Sequence, residues 1–155
     1  MVAAIVVLVM LASLAAAITR MSWSQQITAA DDLQSARALQ VARAGAEWGM
    51  FQALKGSWQG ANCNGKQQTL SNPSGVAADM KVTVTCYSKP SAYKEGAVDD
   101  SSSVQQDVPL WVYRLEAVAC NGTTPNCTDA DSSVNAVTYV ERAVQVVVTD
   151  TDAGM

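Results

Sequence analysis

The chain has 155 residues with 10 basic and 14 acidic side chains, a net charge of −4 and no histidine, so about 100 residues remain for one folded domain beyond an N-terminal segment. The acidic balance provides no basic stripe to neutralise phosphates, which excludes nucleic acid as an expected partner. Without histidine, and with four cysteines in no CxxC pair, the chain is poorly equipped for general acid–base chemistry or structural zinc; a non-enzymatic protein with no cofactor and no metal is expected.

Met1 to Ile18 carries no charge and one polar side chain, Ser13. A run of this length is at the short end of what crosses about 30 Å of hydrocarbon. Ala15-Ala16-Ala17 would suit a signal peptidase, but no basic stretch precedes Val2-Ala3-Ala4-Ile5 and no helix breaker follows Ile18, so an uncleaved helix is favoured. The positive-inside rule has no cytoplasmic flank to act on, and a basic leader ahead of Met1 is an expectation of the same reading.

No glycine or proline occurs before Gly45. Residues 1–20 are therefore expected to form the transmembrane half, and 21–56 the amphipathic half, of one helix, with Asp31 and Asp32 marking a surface turn or a capped break. Val41, Ala44, Trp48 and Phe51 recur at helical spacing with Gly45 beside them, predicting a face that packs on a sheet. Arg37, Gln40, Arg43 and Glu47 follow on a polar face, with Arg43 and Glu47 spaced to pair. Gly45 and Gly49 form a GxxxG spacing, read here as close approach of a sheet rather than pairing of membrane helices. Gly56 supplies a stop.

Residues 57–155 are expected to form an exported head. Ser57 to Gly65 reads as loop, and Met80 to Cys86 alternates apolar and polar side chains as a half-buried strand does. Lys89 to Asp107, holding Pro90, Gly96 and Ser101-Ser102-Ser103, reads as a solvated loop. Strand character resumes over Trp111–Ala119 and Val137–Val148, with a weaker strand around Lys66–Leu70. An antiparallel sheet with one apolar face needs cover, and the helix provides it, giving an α+β fold.

Cys63, Cys86, Cys120 and Cys127 all follow the apolar segment, which predicts two disulfides in an oxidising compartment. Cys63–Cys86 with Cys120–Cys127 is the favoured pairing, because Asn121 to Asn126 is rich in turn residues. Asp129 with Asp131, or Asp150 with Asp152, falls short of a calcium loop. Asn121-Gly122-Thr123 and Asn126-Cys127-Thr128 match the glycosylation sequon but read as polar loop. Trp58, Tyr87 and Tyr93 are candidates for a surface patch, whereas Trp111 alternates with strand residues and is expected in the core.

An unbroken hydrophobic N-terminal helix whose distal half packs on a small disulfide-bearing sheet resembles the type IV pilin architecture. Ala36 to Gly49, and Tyr113-Arg114-Leu115-Glu116 followed by Cys120, look more specifically like the minor pilin-like proteins of MSHA-type pili. The resemblance implies a structural subunit that takes part in priming or capping pilus assembly. Its implied partners are other pilin and minor pilin subunits, the pilus assembly machinery and the bacterial inner membrane, with the head in the periplasm. The chain departs from the family pattern in showing neither the basic leader nor the early glutamate of major pilins, and subunits lacking that acid resemble tip-located members. Two alternatives stay open: a pseudopilin of type II secretion, and a membrane-anchored periplasmic binding or adhesive domain.

Overall fold

From Met21 to Leu54 the chain is rich in Ala, Gln, Leu and Arg, and no glycine or proline precedes Gly45; helix α1 accordingly runs unbroken from Val2 to Leu54. The computed structural model describes residues 2–71, 73, 75, 79–98, 106–127 and 131–150. The chain divides into two compact units inside α1, residues 1–36 and residues 37–155. Among the described residues of the second unit, five strands follow the helix: β1 (Lys66–Ser71), β2 (Lys81–Ser88), β3 (Tyr93–Val98), β4 (Gln106–Cys120) and β5 (Glu141–Asp150). All pairings are antiparallel, and the fold is α+β.

β4 is the spine. β2 pairs with Tyr113–Cys120 and β5 with Trp111–Cys120, so they must flank β4 on opposite sides, and β1 lies outside β2. Alternation along the strands then sorts the side chains. Val82, Val84 and Cys86 of β2 and Tyr113, Leu115, Ala117 and Ala119 of β4 all face α1 and are fully buried; Val144, Val146 and Val148 of β5 extend the same layer.

The seam between helix and sheet is built from small residues. A Cβ on Gly45 would lie 2.6 Å from a Val82 methyl, and one on Gly49 would lie 2.8 Å from a Val84 methyl. Ala38, Val41, Ala42, Ala46 and Ala53 complete the buried stripe. The expected face of Val41, Ala44, Trp48 and Phe51 is therefore rotated. Val41 lies inside, Ala44 and Trp48 flank the seam half-buried, and Phe51 is 60% exposed. Phe51 follows Gly49 by two positions, about 200° around the helix, so the backbone approach at Gly49 turns it outward. Trp48 instead stacks edge-on against the buried Trp58, with centroids 5.1 Å apart.

Gly56 lies two residues past the helix end, and Lys55 N–H and Gly56 N–H still donate to the carbonyls of Phe51 and Gln52. The following segment packs down as a 3-10 turn, Gly60–Cys63, rather than an open loop. Gly60, at a positive φ of 62°, donates its N–H to the buried Tyr113 hydroxyl at 2.7 Å and sits against the Trp111 ring.

Two strand boundaries differ from the sequence reading. β3 and the first residues of β4 form where a solvated loop was expected. Tyr93 pairs with Leu110 and Ser88 with Tyr113, so β3 takes up β4 where β2 leaves it, and backbone pairing does not require the apolar alternation that Lys94-Glu95-Gly96 lacks. A register shift between Glu95 and Ala97 places Gly96 at a bulge. At the other end, β5 starts at Glu141, because Ser132–Asn135 is a 3-10 turn and Val137 lies fully in solvent.

Gly45→Leu should lower head stability by about 1–3 kcal/mol through overpacking, whereas Phe51→Ser should change it by less than about 0.5 kcal/mol. Urea titration followed by tryptophan fluorescence distinguishes the two; equal losses would contradict the rotated seam.

Candidate functional site

Two regions carry features that general packing does not explain. The first is the helix segment Ala3–Arg20, which is long and apolar enough to cross a membrane and has no buried residue. Ile5, Leu8, Val9, Met10, Leu11, Leu14 and Ile18 are each more than 60% exposed. Its two hydroxyls are turned back on the helix: Ser13 Oγ donates to the Met10 carbonyl at 2.8 Å, and Thr19 Oγ1 to that of Ala16 at 3.0 Å. A hydroxyl engaged in this way can enter hydrocarbon without leaving a free donor.

The second is the loop that closes β4. Cys120 is bonded to Cys127, and Cys63 to Cys86. The loop between Cys120 and Cys127 is held from both sides by charge. Lys81 Nζ donates to the carbonyls of Gly122 and Thr124. Asp131, 3% exposed, accepts from Thr124 N–H, Ser133 N–H and the hydroxyls of Thr123, Thr124 and Ser133 at 2.7–3.0 Å. The backbone N–H of Thr124 and both donors of Ser133 hold its carboxyl far below the usual carboxylate range. Gly122 leaves room for this group, since a Cβ there would meet Asp131 Oδ2 at 2.2 Å.

A chain of hydroxyls ties the loop to the sheet. Cys127 N–H donates to Thr83 Oγ1 at 3.0 Å, Thr83 Oγ1 lies 3.0 Å from Thr69 Oγ1, and Thr69 donates to Asn126 Oδ1 at 2.7 Å. Asn121 holds the segment before β5, donating to the Thr138 carbonyl and accepting from Val140 N–H. The asparagines of both sequons thus make side-chain hydrogen bonds within the head, Asn126 through its amide oxygen. Beside the loop, on the sheet face away from α1, Gln67, Thr85, Glu116, Val118 and Glu141 line a groove of about 390 Å³ with Cys127 in its wall. Its carboxylates and amide would accept hydrogen bonds from a cationic or hydroxylated group.

Of the two aspartate pairs weighed for calcium, Asp131 is fully occupied by these donors, and Asp129 and Asp152 lie outside the described residues. The aromatics do not form one patch. Trp58 is buried and Trp111 half-buried, whereas Tyr87 lies under Arg114 and Tyr93 under Lys89. Sequence reasoning missed Lys81 and Thr83 altogether. Asp131 did carry a signal, as an aspartate two residues before Ser133 is a helix-capping pattern, and it caps the Ser132–Asn135 turn.

Comparison with known proteins finds no match among family models, curated proteins or solved structures.

Asp131→Asn should lower the melting temperature at neutral pH. The depressed carboxyl contributes stability in full above its unfolded pKa near ~3.9, and that contribution is lost as pH falls toward the folded value. The gap between wild type and Asp131→Asn should therefore narrow between about pH 4 and pH 2, measured by thermal melts at each pH; a constant gap would contradict the role given to the charge.

Proposed function

We propose that the protein is a minor pilin-like structural subunit of an MSHA-type type IV pilus, similar to the MSHA biogenesis protein MshP, and that it takes part in priming or capping assembly. One observation carries this reading: a single helix that offers an exposed apolar span over Ala3–Arg20 and a small-residue stripe packed on a disulfide-braced antiparallel sheet from Ala38 onward.

In this role the span holds the subunit in the bacterial inner membrane and the head folds in the periplasm, where disulfides form and persist. During assembly the subunit leaves the bilayer, and the side chains that faced lipid pack against the helices of neighbouring pilin and minor pilin subunits. The exchange is near neutral for apolar groups, because both surroundings exclude water. A carboxylate in the span would need a partner in each setting, and Ala3–Ile18 contains none.

A pseudopilin of type II secretion shares these features, and a membrane-anchored periplasmic binding or adhesive domain shares the anchor and the head. Immunogold labelling of the tagged protein in a piliated cell separates them. Sparse gold at filament ends, with fewer pili after gene deletion, is expected. Dense labelling along shafts would overturn the priming or capping role, and normal piliation without the protein would overturn the pilus role altogether.

A further inference from the structure

The two disulfides lie on opposite faces of the sheet. Cys86 is in phase with Val82 and Val84, which face α1, whereas Cys120 is in phase with Glu116 and Val118 and is paired with Lys81 in the β2–β4 register. The residue that aligns Cys120 by its backbone is therefore the one whose ammonium group holds the loop carrying Cys127.

Among the described residues of this loop, the contacts of Lys81 Nζ, Asp131 and Thr83 use no sulfur atom, and the one sulfur contact, Cys127 Sγ with the Lys81 carbonyl at 3.7 Å, is open to a thiol as well. Lys81 binds two loop carbonyls, Asp131 binds Thr123 and Thr124, and Thr83 receives the Cys127 N–H. Each can form while the thiols are still reduced. Both charged groups have their hydrogen-bond partners within the fold, so loop closure leaves neither stranded.

We propose that this polar clamp is a pairing device: it closes the 120–127 loop before oxidation and so directs Cys120 to Cys127 rather than to Cys63 or Cys86. With a disulfide oxidant such as oxidised glutathione, one cysteine thiolate attacks the glutathione disulfide and releases a glutathione thiolate. The second cysteine thiolate then displaces the other glutathione, so two protein thiols are oxidised while one glutathione disulfide is reduced to two thiols. The clamp acts on the second step by raising the effective concentration of one cysteine at the other.

The test uses the full chain in detergent micelles, reduced and then equilibrated in glutathione buffers, with pairings quantified by mass mapping of unreduced digests. Lys81→Met and Asp131→Asn should each lower the effective concentration of the Cys120–Cys127 pair at least tenfold and shift Cys120 into other pairings, while Cys63–Cys86 stays within twofold of wild type. An unchanged Cys120–Cys127 value, or an equal loss at both pairs, overturns the proposal. A second measurement does not depend on those variants folding: in Cys120→Ser/Cys127→Ser, hydrogen exchange at the Thr124 and Ser133 amides should stay within tenfold of wild type. Exchange at the rate of an unfolded peptide would overturn a clamp that precedes the disulfide.

Discussion

Gly45 and Gly49 set how closely α1 can lie on the sheet, and the head is organised around that distance. With valine methyls closer than a Cβ would tolerate, the seam admits no larger residue at these positions, and alanine fills most of the remaining stripe. A close-packed interior converts such a short approach into many dispersion contacts. The same approach decides which helix residues are left outside, including Phe51, and where the large aromatics go. Trp48 and Trp58 close the flank of the seam against each other.

The chain leaving the helix is then tied down at short range. Gly60 hangs on the Tyr113 hydroxyl, Ser88 donates to the Gly60 carbonyl, and Cys63 is bonded to Cys86 in the strand that carries Val82 and Val84. The turn after α1 is thus fastened to the strands that meet its glycines. On the opposite face the problem is different, because the sheet there presents threonine, glutamate and glutamine to solvent. A long loop is held on that face by charge and hydroxyl networks around Lys81, Thr83 and Asp131. One disulfide braces each face, but only the outer one is set in a polar framework.

The segment Ala3–Arg20 follows another logic, since its apolar side chains are exposed and its hydroxyls bond to its own helix. Such a surface is stable only in lipid or against other apolar helices. The proposed pilin-like role uses both environments in turn, with one helix serving as anchor and as assembly surface.

The sequence by itself determined the long helix, the apolar span, the sheet strands with clear alternation and the antiparallel α+β plan, because each depends on local periodicity or composition. Tyr113, Val82 and Val84 sit in phase with their strands, as alternation alone requires. Tertiary structure decided the rest. Large apolar residues marked a face through Trp48 and Phe51, yet the seam selected the glycines and alanines, since the distance between two backbones is a property of the packed pair and not of the helix. β3 lacks an apolar pattern and exists through its pairing with β4. The clamp joins Lys81 to residues more than forty positions away, and no local pattern encodes a contact whose partners meet only after β2 and β4 are in register.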